Sequence, residues 1–292
     1  MKKLYFVNNW GQTTESHVED MKYATPGHSG EWKKVLTYTL NFDEADYYVI
    51  FEGVPNELKD KIDYSRAIYV QLEPPWLTQK NNFIAKQNLM YKIEYETMFG
   101  VAMWWSYVHF NTFAKSYPFH KNKKFSCIMS NKVMKEGHRL RLEFLRKYVR
   151  KYDNIDIFGW GLKSENLGKC FKTTLRREDT ALGYKDYAYS FVCENGSYPN
   201  YATARLFDCV LNWSIPIYWG CSNLDKFFPK DSYYSFDVER NSIDELYEIS
   251  QRPITKKIMI ALEKAREVTL YEYNIWEVLY KIISGKILNE IF

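Results

Sequence analysis

No stretch of the 292-residue chain is apolar for long enough to cross a bilayer. The opening segment, Met1 to Trp10, carries too short an apolar run for a signal peptide or an anchor. These absences predict a cytoplasmic protein with no membrane span. Cysteine is scarce and odd in number: Cys127, Cys170, Cys193, Cys209 and Cys221 are scattered, and none pairs at metal-ligand spacing. Three of them sit in apolar strand or helix contexts, so they read as reduced, buried small hydrophobes. Histidine is equally sparse, and His17, His28, His109, His120 and His138 form neither an i, i+4 pair nor a Cys/His cluster. No Asp-x-Asp follows a strand end, and metal binding is not expected. Internal repeats and low-complexity tracts are missing as well. The basic excess is mild, a formal +4, well short of a nucleic-acid-binding footprint.

What is present is the material of a globular protein. Hydrophobic residues make up 46% and charged residues 26%, in a length sufficient for two ordinary domains. Aromatic content is high at 18%, with 25 Tyr and 9 Trp. Large cores and a coding bias towards Lys, Asn, Tyr and Phe explain that, and so do carbohydrate-stacking surfaces. Asn195-Gly196-Ser197 and Asn212-Trp213-Ser214 are formal glycosylation sequons inside the expected core, which argues against a secretory route.

Short apolar runs alternate with helical patterns. Leu4–Val7, Tyr47–Phe51 and Ile68–Gln71 predict strands, with helices over Glu31–Leu40 and Glu57–Ile62 between them. Phe99 to Tyr117 is ambiguous, a further strand and a packing loop, and Pro118 to Lys124 reads as a linker. A second series follows: strand Phe125–Met129, helix Glu136–Tyr148 with Leu140, Phe144 and Tyr148 on one face, strand Ile155–Phe158, and helix over 176–186. Ser242–Ile249, Thr255–Val268 and Asn274–Ile283 also read as helices. Strands alternating with helices twice over imply two doubly wound, Rossmann-like α/β domains, whose ligand sites lie at the carboxyl ends of the strands. The expected division is 1–118, an N-terminal α/β domain, 119–270, a second α/β domain, and a C-terminal helix in 271–292.

The most informative stretch runs from Tyr189 to Gly220. Tyr189–Cys193 is a buried strand, Glu194–Asn200 is turn chemistry, Asn200 is a candidate N-cap, and Ala202, Leu206 and Val210 mark one helical face. Ile215 to Gly220 is a second short strand. Thr203 and Arg205 then sit in the first turns of a helix beyond a strand end. Free backbone N–H groups, the helix dipole and a guanidinium converge there, in a place suited to a phosphate or diphosphate.

The same residues carry a family pattern. Glu194-Asn195-Gly196, Tyr201-Ala202-Thr203-Ala204-Arg205 and Pro216-Ile217-Tyr218-Trp219-Gly220 resemble the signature of the family 10 glycosyltransferases, the α1,3/4-fucosyltransferases. Phe228 to Tyr233 is similar to that family's Pro-x-Ser-aromatic strand entry. More loosely, Val7-Asn8-Asn9-Trp10-Gly11 resembles the segment after the first strand of bacterial members, and Ala67 to Pro75 resembles the strand that ends in the family's proposed base, here Glu73. The resemblance implies a GT-B fold, two domains facing across a cleft, with 1–118 on the acceptor side and 119–270 binding the nucleotide-sugar. It implies an inverting transfer from a nucleotide-sugar, GDP-fucose by default, with no cofactor beyond that co-substrate. The implied donor-binding residues are Arg205, Thr203, Asn195, Glu194, Tyr201, Tyr218 and Gly220, with Trp10 and Gly11 on the acceptor side. Glu194 and Asn195 hold either the ribose or the turn itself.

This chain departs from the pattern in two places. The family's Thr-Glu-Lys is Thr203-Ala204-Arg205. Arg keeps a cation and adds a bidentate fork. Ala204 removes a carboxylate that would accept hydrogen bonds from sugar hydroxyls, so another sugar, such as a pentose, is the alternative donor. A glycan is the expected acceptor and a modified nucleic-acid base the runner-up. A degenerate, non-catalytic sugar-nucleotide-binding protein is the reading from another class.

Each candidate has a plainer reading. Glu73, stiffened by Pro74 and Pro75, can act as a general base if partly desolvated, or can cap a helix or pair with Arg66. Lys163, after Gly159-Trp160-Gly161, is a second cation for phosphate or a surface lysine. The basic run from Lys121 to Lys151 favours an anionic donor, or is a solvated helix face. Gly168-Lys169-Cys170 is no Walker loop, and Asp43-Glu44-Ala45-Asp46 matches a helicase box by chance.

Overall fold

The computed structural model describes residues 1–74, 82–115 and 121–286. Pro75 and Trp76, the Pro118–His120 part of the expected linker, and the end of the 271–292 segment lie outside the described residues. The chain divides into two compact units: residues 1–103, 109–112 and 271–292 form one, and residues 104–108 with 113–270 form the other.

Unit 1 is built on β1 (Lys2–Asn8), α1 (Thr14–Lys22), β2 (Leu36–Tyr38), β3 (Tyr47–Phe51), β4 (Ala67–Val70), α2 (Asn82–Ala85) and β5 (Tyr91–Ile93). The strands pair in parallel in the order β2-β1-β3-β4-β5. All their carboxyl ends therefore lie along one edge, and strand order reverses between β1 and β3. Their near-continuous apolar sequences follow from burial on both faces. Val49, Ile50, Phe51, Ile68 and Val70 are wholly buried.

Expectation and structure differ at several elements here. Residues 31–40 form no helix. Lys33 and Lys34 take left-handed backbone angles (φ 52° and 57°), Trp32 bridges Leu36, and the chain runs directly into edge strand β2. A β-branched and aromatic Leu36-Thr37-Tyr38 pairing with β1 outweighs the weak helical periodicity. The helix predicted over Glu57–Ile62 is only a 3₁₀ turn, Asn56–Leu58. Helix α1 was not expected. Its sequence signal was Thr13, whose hydroxyl accepts the Ser16 N–H at 3.2 Å, followed by Val18 and Met21 at helical spacing. In the described part of 99–117 the chain forms a short helix, α3 (Phe110–Ala114), and a single bridge from Ala102 to Asn274 in place of a strand.

Unit 2 comprises β6 (Lys123–Ile128), α4 (Glu136–Lys151), β7 (Asp156–Phe158), β8 (Phe171–Thr173), β9 (Tyr187–Tyr198), α5 (Ala204–Leu211), β10 (Ile215–Cys221), β11 (Tyr234–Ser235), α6 (Ile243–Gln251) and most of α7 (Lys256–Tyr271). The parallel order β11-β10-β9-β6-β7-β8 turns back on itself between β6 and β9. Loops leaving β6 and β9 thus diverge to opposite faces, and the crevice between them is where such sheets bind ligands. Residues 176–186 form a 3₁₀ helix, Arg177–Gly183, rather than an α-helix.

The last helix, α8 (Ile275–Ile283), is part of unit 1. Trp276 is fully buried there, edge-on to Phe6 at 5.6 Å, with its indole N–H donated to the Met21 carbonyl at 2.9 Å. Glu277 accepts from the Trp32 indole at 2.7 Å and from Lys33.

Candidate functional site

Three corrections come from the β9–α5 junction. Residues 194–198 do not turn. They continue β9, with Tyr198 paired to Cys221 across a shift in register. The N-cap of α5 is Thr203, not Asn200, and its hydroxyl accepts the Arg205 N–H at 3.3 Å. Asn200 instead holds a left-handed backbone (φ 63°), clamped by reciprocal bonds with Asn223 at 2.7 and 2.9 Å. The helix end is also not an open row of N–H groups. The Glu194 carboxylate, wholly buried, accepts the Thr203 N–H at 2.9 Å and the Thr203 hydroxyl at 2.7 Å. It also pairs with Arg205 Nη1 at 3.3 Å. The protein's own anion therefore occupies the positive end of α5.

Around that carboxylate the remaining motif residues form a wall. The Tyr218 hydroxyl lies 3.4 Å from Glu194 and 3.3 Å from the Tyr201 carbonyl, and accepts the Cys221 N–H at 3.0 Å. Tyr201 and Tyr218 are buried. Gly220 packs so closely on Glu194 Cγ and the Tyr218 ring that a Cβ would overlap both. Arg205 is only partly buried and spends one nitrogen on Glu194.

A second guanidinium lies beside it, and the sequence reading missed it. Arg141 is completely buried on α4, with Nη1 bonded to the carbonyls of Cys193 (3.2 Å) and Glu194 (3.0 Å) and to Asn195 Oδ1 (3.0 Å). Its Nε and Nη2 have no hydrogen-bond partner. Burial first, and the neighbouring Arg205 charge second, pull its pKa down to about 10. His138, one turn earlier, is buried next to Asn195 and held neutral, its pKa lowered to about 4 by burial and then by Arg141. The first turn of α4 has no side-chain cap, because Lys135 at the N-cap offers none. Gly137 lets the helix approach the Asn195 backbone, where any Cβ would collide. Two adjacent guanidiniums, an uncapped helix end and unpaired N–H groups make a site for a doubly charged anion.

Helix α5 is anchored from behind by Asp208, which is buried and accepts the backbone N–H groups of Trp105 (3.1 Å) and Ser106 (3.2 Å). Burial pushes its pKa up to about 7, against those hydrogen bonds. A carboxyl raised in this way binds its proton more tightly folded than unfolded. It thus favours the fold at low pH and loses that contribution as pH rises from about 4 to about 7. Asp208→Asn, which keeps an acceptor oxygen, should flatten that part of the stability–pH curve. The slope removed approaches roughly 1.4 kcal/mol per pH unit. Urea melts at a series of pH values check it.

Elsewhere, Lys163 is exposed on the short turn after β7, behind the left-handed Gly161. In unit 1, Trp10 and Gly11 (φ 83°) are exposed in the loop after β1, and Glu73 is exposed three residues past β4. Among the described residues no group of three or more His, Cys, Asp or Glu is arranged to hold a metal ion. No helix among them is long and apolar enough to cross a membrane.

Residues 118–252 match the model of the glycosyltransferase family 10 (fucosyltransferase) C-terminal domain. This segment is a family 10 glycosyltransferase domain. The site just described lies within it. No curated protein matches the sequence. Among solved structures, an α1,3-fucosyltransferase superposes over 99% of this chain and 91% of its own, with a TM-score of 0.52 and 14% identity. An α1,3-fucosyltransferase with GDP gives a TM-score of 0.45 at 15% identity, over 99% and 92%. An S. aureus TarM mutant in complex with Fondaparinux, alpha-GlcNAc-glycerol and UDP gives 0.46 at 12%, over 84% and 51%. The first of these supports the fold. With the two parallel sheets, it assigns this fucosyltransferase-like glycosyltransferase to the GT-B class of paired Rossmann-like units.

Proposed function

We propose that the chain transfers a sugar from a nucleoside-diphosphate donor to a glycan hydroxyl by a single inverting displacement. The observation that carries the reading is the Arg141–Arg205 pair at the switch point of the unit 2 sheet, with two guanidinium nitrogens of Arg141 unpaired. These cations and the uncapped start of α4 bind the diphosphate and neutralise it as it departs. Thr203, Tyr201, Tyr218 and Gly220 hold the frame. Glu194 orients Arg205, Asn195 lies at the edge of the anion site, and Lys163 supplies a further cation. In this reading residues 119–270 bind the donor and the N-terminal domain serves the acceptor, with Trp10 and Gly11 as the surface that receives it.

Glu73 is the base. The acceptor oxygen forms its bond to the anomeric carbon on the face opposite the nucleotide, its proton passes to Glu73, and the bond to the diphosphate oxygen breaks. Fucose is the family default. Ala204, at the first position of α5, favours a donor with fewer hydroxyl contacts, such as a pentose. The mild net charge of +4 gives a nucleic-acid acceptor no particular support.

A thermal-shift screen with GDP, UDP, GDP-fucose, GDP-mannose, UDP-glucose and UDP-xylose tests donor binding, because a ligand stabilises the fold by an amount that grows with its affinity. GDP compounds should give the largest shift, and no shift with any of them would sink the reading. Glu73→Gln should keep that shift while turnover falls by about a hundredfold or more. Equal turnover by wild type and Glu73→Gln would mean that Glu73 is not the base.

A further inference from the structure

The turn that carries Glu73 is held by a carboxylate from the neighbouring strand. Glu52 follows β3 directly and has a left-handed backbone (φ 61°), which is strained for a residue with a Cβ. Something must offset that strain. From this position Glu52 Oε1 accepts the Glu73 N–H at 2.6 Å and the Leu72 N–H as well. Its own N–H donates to the Val70 carbonyl at 3.1 Å. The opposite side of the turn is tied too: Tyr95 donates its hydroxyl to the Leu72 carbonyl at 3.2 Å, and Gln71 accepts the Tyr95 N–H at 3.1 Å. The peptide groups of residues 71–73 are thus fixed from two strands.

Glu52 is partly buried, and its pKa is raised, first by that burial, while the two backbone N–H groups lower it and the Glu73 charge raises it further. A second carboxylate this close to Glu73, in a strained backbone, is an arrangement that packing alone would not favour. Glycine would fit the strand end without strain or repulsion.

We propose that Glu52 is a positioning residue for the reaction: it clamps the backbone of Glu73 so that the base is presented in one orientation. The inference rests on the reading of Glu73 as base. It adds that the neighbouring strand, not only β4, sets the geometry of proton removal. Misplacing a reacting group by about an ångström can cost on the order of a hundredfold in rate.

The test compares Glu52→Ala, Glu52→Gln and Glu73→Gln in the full chain. Two readouts are used: hydrogen exchange at the Leu72 and Glu73 amides, and kcat and KM for hydrolysis of GDP-fucose, GDP-mannose, UDP-glucose and UDP-xylose. Glu52→Ala should deprotect both amides and lower kcat roughly tenfold to a hundredfold, with donor KM changed by less than about twofold. Glu52→Gln retains an acceptor oxygen, so it should keep the protection and most of the rate. Wild-type protection or wild-type kcat in Glu52→Ala, beside an inactive Glu73→Gln, overturns the positioning role and leaves the base in place. If both Glu52 variants are inactive while Glu73→Gln turns over normally, Glu52 is itself the base, and both readings fall. Absence of turnover by wild type on all four donors also overturns both.

Discussion

Arg141→Met should abolish the stabilisation expected from GDP, while the melting temperature of the unliganded protein changes by only a few degrees. Two opposing effects produce the second half of that expectation. Methionine removes the bonds from Nη1 to the Cys193 and Glu194 carbonyls and to Asn195, each worth about 1.5–3 kcal/mol for a charged donor. It also removes a buried guanidinium that repels Arg205 and whose pKa is depressed to about 10, chiefly by burial. Removing a buried charge that has no ion-pair partner relieves its desolvation cost, which offsets much of the lost bonding. Nothing offsets the loss on the liganded side. Truncating one member of a buried, hydrogen-bonded charge pair costs about 2–5 kcal/mol in binding, a 30-fold to several-thousandfold rise in Kd. Arg141→Lys should recover little, because an ammonium cannot reproduce the fork. Calorimetry with GDP, beside melts with and without it, separates the two terms. Equal loss of stability with and without GDP would make Arg141 a strut of the α4–β9 packing and nothing more.

Arg141 also marks the limit of what the sequence could tell. The apolar repeat of α4 was read through Leu140, Phe144 and Tyr148; Phe144 and Tyr148 are buried, but the buried face also takes in His138, Arg141, Leu142 and Leu145. A hydrophobic pattern assigns a charged residue to solvent, so an arginine on the inner face rotates the predicted stripe by a fraction of a turn. The central strands β3, β6, β7, β9 and β10 were legible because burial on both faces makes them continuous apolar runs. Edge strands β5 and β8, of three residues each, leave too little pattern to detect. Thr203, Arg205 and Tyr218 were found through motif spacing, but the partner that organises them was left open between two roles. Glu194 turned out to lie inside the fold because Gly220 admits it, a contact across 26 residues of sequence that no local rule reveals. Glu52 was likewise silent: its effect acts on the backbone of Leu72 and Glu73, twenty and twenty-one residues on, through N–H groups that nearly every residue carries.

Glu194→Ala should be the most damaging single substitution in unit 2. The carboxylate is fully buried, and four groups depend on it: the Thr203 N–H, the Thr203 hydroxyl, Arg205 and the Tyr218 hydroxyl. Alanine leaves Arg205, itself partly exposed, without its counter-charge, and leaves the Thr203 N–H, the Thr203 hydroxyl and the Tyr218 hydroxyl without this acceptor. At about 1–3 kcal/mol for each unsatisfied buried group, the loss is about 3–5 kcal/mol together. Where the whole fold is worth about 5–15 kcal/mol, that is a large share. For a unit of this size it corresponds to a fall of roughly 6–20 °C in melting temperature. The cause can be separated from a mere cavity through Gly220. A methyl group there would strike Glu194 Cγ, so Gly220→Ala alone should also destabilise strongly. Once Glu194 is alanine, the collision with its Cγ is gone, and only the one with the Tyr218 ring and hydroxyl remains. The double variant should therefore lose less than the sum of the two singles, a coupling of about 1 kcal/mol or more between residues in direct contact. Additive losses would mean that the two positions act independently, and that the turn into α5 is held by something other than this carboxylate.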